Sequence, residues 1–255
     1  MIIWNGCCIE DEKIKLDGGY LYGMGVFETL LIKKGEPIFL LDHLDRLHRG
    51  LRVLNIQQSI ELEEAQAQIN KLNCEDGAVR ISVSQENIIF SKRALTYKDE
   101  DYENGFSLAI SEIERNPKSH MTYIKSFNYL DNAIERQRAI AAGYQEVLFL
   151  NPLGEVTEAS TANLFFISKG QIFTPQVECG LLAGVLRKWI LNNYPVQEGR
   201  FTVDDLVQSD GVFLTNSLIG IMKVRQIGTH KLLESPEIAR IQKEYLKFLE
   251  AHTYE

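Results

Sequence analysis

No stretch of the sequence approaches the roughly 18 apolar residues that cross the hydrocarbon core of a bilayer, so no membrane span is expected. The start, Met1-Ile2-Ile3-Trp4-Asn5-Gly6, lacks a basic region followed by an apolar run, which makes the cytoplasm the expected location. Positive charge is in deficit: 27 Lys and Arg face 35 Asp and Glu, a net charge of −8. That balance argues against nucleic acid as a partner, since a phosphate backbone needs a basic face, and any anionic ligand must be held by a local cluster. Cysteine is scarce, and Cys7, Cys8, Cys74 and Cys179 have no paired spacing of the metal-binding kind, so they read as reduced thiols with no metal site. Internal repeats and low-complexity tracts are also missing. What remains is an ordinary globular composition, 45% apolar and 24% charged over 255 residues. This is enough for one large domain or two of about 120 residues.

The chain alternates strand and helix signals. Gly25 to Ile32 and Pro37 to Leu41 flank Lys34-Gly35-Glu36 and predict a hairpin. Leu44, Leu47, Leu51 and Leu54 then recur at helical spacing after Asp42, a candidate N-cap, and Ser59 opens a second helix running to about Leu72. Strands are expected at Ala78 to Ser84 and Phe106 to Ser111, with Tyr97 to Asn104 an exposed loop between them. A polar linker, Glu112 to His120, carries Asn116-Pro117. The domain boundary is placed there, giving a smaller N-terminal domain, 1–116, and a larger C-terminal one, 117–255. Beyond it come a helix from about Asp131 to Ala142, a strand at Glu146 to Leu150 and a hairpin turning at Lys169-Gly170. Gly184 starts a helix through Asn193, strands recur at Gly211 to Leu214 and Val224 to Ile227, and a last helix runs from Pro236. Mixed strands and helices on both sides of the linker predict two α+β domains.

Within this frame one lysine stands in apolar company, Tyr123-Ile124-Lys125-Ser126-Phe127-Asn128-Tyr129, and a glutamate lies further on in Val156-Thr157-Glu158-Ala159. A solvated ammonium is neither nucleophile nor base at neutral pH, but partial burial and a nearby cation favour the neutral amine, which can join an aldehyde cofactor. Pyridoxal phosphate needs such an amine, a carboxylate for its ring nitrogen and a cradle for its phosphate. Three phosphate candidates are present: the helix start at Gly184-Val185-Leu186, the polar cluster Thr215-Asn216-Ser217, and Arg46 on the polar face of the leucine-striped helix. Each taken singly has a simpler reading, a turn, a strand end or a surface ion pair.

Together these segments carry a resemblance. Tyr22-Gly23-Met24-Gly25-Val26-Phe27-Glu28-Thr29, His43-Leu44-Asp45-Arg46-Leu47, Lys125 to Asn132, Gly143 to Asn151, Gly154-Glu155-Val156-Thr157-Glu158, Asn163-Leu164-Phe165, Thr174-Pro175 and Gly184-Val185-Leu186-Arg187 resemble, in order, the motifs of the class IV pyridoxal-phosphate aminotransferases. That family includes branched-chain aminotransferases, D-amino-acid aminotransferases and aminodeoxychorismate lyases. The resemblance implies the two-domain α+β fold of those enzymes, sometimes called fold type IV, pyridoxal 5′-phosphate as cofactor, and a homodimer acting on a small molecule. It implies that Lys125 bonds to the cofactor and Glu158 pairs with the ring nitrogen. Arg46, the backbone N–H groups of Val185 and Leu186, and Asn216 and Ser217 would hold the phosphate.

Departures from the family pattern sharpen the reading. Asp17-Gly18-Gly19 replaces a common Asp-Arg-Gly, Met24 replaces an aspartate, and Leu186 stands where relatives often have threonine, leaving only its backbone for the phosphate. After Ser84 comes Gln85-Glu86-Asn87 where many relatives carry an arginine and glycines, so the substrate carboxylate falls to Arg80, Lys92 or Arg93. Phe27-Glu28-Thr29 differs from the Phe-Glu-Gly of branched-chain aminotransferases and resembles the lyase subgroup, which gives Thr29 a candidate catalytic hydroxyl. The expected reaction is the release of pyruvate and 4-aminobenzoate, for folate synthesis, from 4-amino-4-deoxychorismate, with a branched-chain or D-amino-acid aminotransferase as the alternative. A non-catalytic scaffold is a further reading, against which the presence of both Lys125 and Glu158 weighs.

Overall fold

A computed structural model describes residues 2–9 and 14–252; the side chain of Cys8, expected as a reduced thiol, lies outside the described residues. The chain forms two compact units, Met1–Thr96 with Ile124–Asn128 and Leu249–Glu255, and Tyr97–Tyr123 with Tyr129–Phe248. These units do not follow a single cut at 116/117. The Ile124–Asn128 segment groups with the first unit because its backbone pairs there, as described below.

The first unit is built on a six-stranded sheet ordered β2-β1-β6-β5-β3-β4, from β1 (Ile2–Trp4), β2 (Cys7–Ile9), β3 (Gly25–Lys33), β4 (Glu36–Pro37), β5 (Gly77–Ser84) and β6 (Ile88–Arg93). Alternation in a strand sends Val26, Leu30 and Ile32 of β3 to one face, where they pack with Val79, Ile81 and Val83. The apolar stripe of α2 (Leu40–Val53), Leu40, Leu44, Leu47 and Leu51, joins the same cluster, with Ile69 of α3 (Leu62–Lys71). Each such side chain contributes about 1.5–3 kcal/mol by leaving water. One charged residue, Glu28, interrupts the apolar row of β3.

The expected hairpin is shorter than its sequence suggests. Its second strand is Glu36–Pro37, with Ile38 N adding one bond to Leu31 O at 2.9 Å, and α2 already begins at Leu40. Phe39 takes a left-handed conformation (φ 59) at the helix start, and Asp42 sits inside the first turn, where its charge favours the helix dipole, instead of capping it. Burial of Leu40 on the sheet extends the stripe by one turn. Among the elements not expected are β6, whose buried Phe90 precedes a charged end at Lys92-Arg93, and α4 (Asp99–Asn104), an acidic turn capped by the Lys98 N–H donating to Asp101 at 2.9 Å.

In the second unit a nine-stranded sheet runs β12-β11-β10-β13-β14-β7-β8-β9, with β15 (His230–Lys231) on β14. Its strands are β7 (Phe106–Ile110), β8 (Glu146–Leu150), β9 (Val156–Ala159), β10 (Asn163–Ser168), β11 (Gln171–Pro175), β12 (Val196–Gly199), β13 (Gly211–Asn216) and β14 (Gly220–Ile227). Leu164, Phe166, Val212, Leu214, Met222 and Leu148 form its core. The helices are α4, α5 (Leu130–Ala141), α6 (Val185–Asn193), α7 (Val203–Val207) and α8 (Pro236–Ala251), close to the expected bounds where these were read. The β10–β11 turn at Lys169-Gly170 has both residues at positive φ, the twist a two-residue hairpin requires. Among the described residues no helix is long and apolar enough to cross a membrane, and no cluster of potential metal ligands occurs.

The loop after Ser84 is tied down by one carboxylate. Asp17 caps α1 (Gly18–Tyr22) by accepting from Gly19 N at 2.8 Å, and its other oxygen accepts from Ser84 Oγ (2.6 Å), Glu86 N (2.8 Å) and Asn87 Nδ2 (3.1 Å). Burial would push the Asp17 carboxyl up, but these hydrogen bonds hold it below its ordinary value. Replacing Asp17 with alanine leaves several buried donors unpaired, and a loss of about 1–3 kcal/mol in urea unfolding is expected.

Candidate active site

Lys125 is positioned by backbone pairing. Phe27 N donates to Lys125 O at 2.8 Å and Phe127 N to Gly25 O at 2.9 Å, so Ile124–Asn128 lies against β3 as a short antiparallel partner. Gly25 permits this because a Cβ there would collide with the Phe127 ring. The Lys125 Nζ then lies 4.6 Å from the centroid of the Phe27 ring, and the Arg80 guanidinium lies 3.8 Å from the same centroid while its Nε donates to Ser82 Oγ at 3.0 Å. Phe27 pairs with Ser82 and Thr29 with Arg80 across β3 and β5, and directly opposed residues share a sheet face. Lys125, Phe27, Thr29, Arg80 and Ser82 are therefore neighbours. Of the three cations considered for a substrate carboxylate, Arg80 is the one in this group. Lys92 donates to Asn73 O at 2.6 Å, and Arg93 borders an open groove with Asn73, Cys74 and Asp76.

On the opposite face of β3, Glu28 is fully buried and gripped by α2. Arg46 donates from Nε to Oε1 at 2.7 Å and from a terminal nitrogen to Oε2 at 2.6 Å, and His43 Nδ1 lies 2.7 Å from Oε2. The sequence leaves Arg46 a choice between phosphate ligand and surface ion pair; its guanidinium is instead nearly buried and forked onto an interior carboxylate. Burial alone would raise the Glu28 pKa, but the charge and hydrogen bonds of Arg46, with His43, bring it down to about 2. His43 is pushed down by burial, which outweighs the pull of Glu28, and the charges of Arg46 and Lys125 lower it further.

The second unit gathers a different set. Glu158 is buried at the end of β9, and its Oε2 accepts from Leu182 N at 3.1 Å and Asn163 Nδ2 at 3.4 Å, while Arg115 lies 3.6 Å from Oε1. Asn163 also donates to Leu182 O at 2.7 Å, which ties Glu158 to the loop leading into α6. Gly184 occupies the N-cap of α6 and has no side chain to cap the first N–H groups, those of Val185 and Leu186. Glycine is needed at 184 for space: a Cβ would strike Asn163 Oδ1. Asn216 is committed to its own turn, donating to Thr161 O at 3.0 Å and accepting from Leu218 N and Ile219 N. Tyr129 is a buried phenol donating to Ser160 O at 2.5 Å; burial and the nearby Glu146 and Glu158 push its pKa up.

Comparison with known proteins settles what this residue set belongs to. The family described as amino-transferase class IV matches residues 25–227. The chain belongs to that family. Aminodeoxychorismate lyase of Bacillus subtilis is 30% identical over 254 residues, covering 89% of this chain and 86% of the relative. The branched-chain-amino-acid aminotransferase of Pseudomonas aeruginosa is 28% identical over 265 residues, covering 91% and 86%. The T.th. branched-chain amino acid aminotransferase, solved with pyridoxamine 5′-phosphate, superposes with a TM-score of 0.86 at 24% identity, covering 97% of this chain and 93% of that one.

The fold is accordingly that of the fold-type IV enzymes, the activity is that of a class IV lyase or transaminase, and the cofactor is pyridoxal 5′-phosphate. The donor set here suits that group. The first unit offers an amine on an aromatic platform, and the second a buried carboxylate with a compensating arginine and a helix start able to receive a phosphate. The sequence alone gives Glu28, His43, Arg115, Tyr129 and Asn163 no site role. Asn163 and Tyr129 lie in quoted motifs without a distinguishing chemical signal, and Arg115 lies in a stretch whose polarity reads as a linker.

The Glu28 cluster sets an acid limit on stability. Because its carboxyl lies at about 2 in the fold against an ordinary 4.5, the folded state binds fewer protons between those values. Its contribution is complete above pH 4.5 and is lost as pH falls toward 2. Neutral His43 adds a second loss below its ordinary 6.5, where the unfolded chain takes up a proton. Urea midpoints should fall across these windows in the wild type, and Glu28→Gln should start lower at pH 7 and lose the dependence between pH 4.5 and 2.

Proposed function

We propose that this class IV enzyme is a 4-amino-4-deoxychorismate lyase, releasing pyruvate and 4-aminobenzoate. The observation that carries the reading is Thr29: it stands across the ladder from Arg80, on the sheet face of Phe27 and Lys125, where the glycine of a Phe-Glu-Gly sequence offers no hydroxyl. The likeness to the Bacillus subtilis lyase supports it. Pyridoxal phosphate, when bound, would supply an electron sink for the pair left when the carbon-bound proton departs. Lys125 is the base for that proton, working within reach of the Phe27 platform. Glu158 would hold the ring nitrogen, its orientation fixed by Asn163 and Leu182 N. The N–H groups of Val185 and Leu186, with Ser217, would receive the phosphate, whereas Arg46 is spent on Glu28 and the Asn216 side chain serves the turn that presents Ser217.

Arg80 receives a substrate carboxylate, a fork-shaped donor for a planar acceptor. The Thr29 hydroxyl holds a proton at the ether oxygen as the C–O bond breaks; the oxygen keeps the bonding pair and the released enol becomes pyruvate, while the ring becomes aromatic. The reaction needs no second substrate, which separates it from transamination.

A homodimer is part of this reading. Tyr20, Leu21 and Tyr22 of α1, with Leu16 and Met24 beside them, are exposed although Asp17 fixes the segment, and aromatic and methionine side chains held this way suit a second copy. Sedimentation should give twice the mass of one chain, and Tyr22→Glu should shift it toward the monomer.

The pure protein should absorb in the near-ultraviolet or visible with added cofactor, lose that band in Lys125→Ala, and convert 4-amino-4-deoxychorismate to 4-aminobenzoate. Thr29→Val should reduce kcat by about 10²-fold or more if the hydroxyl is the acid. Arg80→Ala should raise KM with a smaller change in kcat. Rapid amino transfer to 2-oxoglutarate without 4-aminobenzoate would replace the lyase by a transaminase.

A further inference from the structure

A second buried carboxylate, not used in the chemistry above, organises the second unit. Glu146 opens β8 with 1% of its surface exposed. Its Oε1 accepts from Val147 N at 2.8 Å and from the Ser160 hydroxyl, and its Oε2 accepts from Thr161 Oγ1 at 2.7 Å, with Arg136 Nε 3.9 Å away. Ser160 and Thr161 form the bend between β9, which carries Glu158, and β10, which begins at Asn163. The carbonyls of this bend point onward. Ser160 O receives Tyr129 Oη at 2.5 Å and Asn132 Nδ2 at 2.6 Å; Thr161 O receives Asn216 Nδ2 at 3.0 Å. Asn216 in turn closes the 216–219 turn through Leu218 N and Ile219 N, and Ile219 O accepts from Tyr102 Oη at 2.9 Å.

We infer that Glu146 is a positioning residue for the cofactor phosphate: by holding the Ser160–Thr161 bend through both side-chain hydroxyls, it fixes the carbonyl that anchors Asn216 and so the place of Ser217. The physical ground is that two hydroxyls spent on one buried carboxylate leave the bend little freedom, since charge-assisted hydrogen bonds are the strong ones and an unmade partner in a dry interior is costly. A buried carboxylate that serves only stability has no need to seize the one bend whose two carbonyls hold a phenol and the Asn216 turn. Glu146 touches neither Ser217 nor the phosphate in this scheme. Its effect must pass through Thr161 and Asn216, and residues joined through a shared network show non-additive substitution effects.

This inference rests on the proposed phosphate role of Ser217, and a double-substitution cycle tests both. Dissociation constants for pyridoxal phosphate are measured by absorbance and by quenching of tryptophan fluorescence for the wild type, Glu146→Gln, Ser217→Ala and the double variant, with the thermal midpoint of each cofactor-free protein. Each single change should weaken binding about tenfold and the double variant no more than either alone, within the coupling seen for networked residues. Multiplying effects, about a hundredfold in the double variant, or unchanged binding in Glu146→Gln with only a lowered midpoint, would leave Glu146 a stability residue and overturn the inference. If Glu146→Gln fails to fold, Thr161→Val, which removes one hydroxyl of the same link at a half-buried position, replaces it in the cycle with the same expectation. A wild type that binds the cofactor tightly while Ser217→Ala is silent removes the phosphate role of Ser217; a wild type that binds none removes the functional reading itself.

Discussion

Two backbone hydrogen bonds, Phe27 N to Lys125 O and Phe127 N to Gly25 O, decide where the Lys125 amine stands. They bring a segment distant in sequence onto β3, so the lysine is placed by main chain and not by its own flexible stem. The consequences follow from strand alternation. One side of β3 presents Phe27 and Thr29 with Arg80 and Ser82 opposite, and the other presents Glu28 to α2. A single strand thus separates the Lys125, Phe27 and Arg80 group from the ion-pair cluster behind it, and Gly25 is the residue whose lack of a side chain lets the arrangement close.

The two units use the same device. Each buries a carboxylate in its frame, Glu28 in one and Glu146 in the other, and each surrounds it with donors from separate elements. Burying such a charge is expensive unless it is fully partnered, so the net effect on stability is small while the effect on geometry is large. Glu28 fixes Arg46 and His43, and Glu146 fixes the Ser160–Thr161 bend. A chain carrying a net charge of −8 still concentrates arginine where it counts, with Arg46, Arg80, Arg115, Arg136 and Arg187 lying wholly or partly inside.

Much of this was legible in the sequence because local pattern and tertiary burial agree there. The β10–β11 hairpin declares itself by Lys169-Gly170, α6 by Gly184, and the ordered motifs name the family. Where the signals diverge, the sequence misleads. Pro37 to Leu41 looks like a strand by composition, yet Leu40 completes a stripe that only the sheet beneath makes worth extending. Lys92 and Arg93 hide the strand that Phe90 anchors, and Asp99, Glu100 and Asp101 make a helical turn look like a solvated loop. Lys125 and Glu158 are proposed from the sequence because they stand in the ordered motifs of the family. Arg115 and Asn163 could not be given a role, because what they do depends on neighbours that only folding supplies.

The contact between Asn163 and Gly184 bears on how such a site can change through descent. Any side chain at 184 meets the Asn163 amide, and Asn163 cannot yield without releasing both Glu158 and the Leu182 carbonyl. Neither position has an independent history available to it. A side chain at the entrance to α6 therefore calls for a paired replacement at 163.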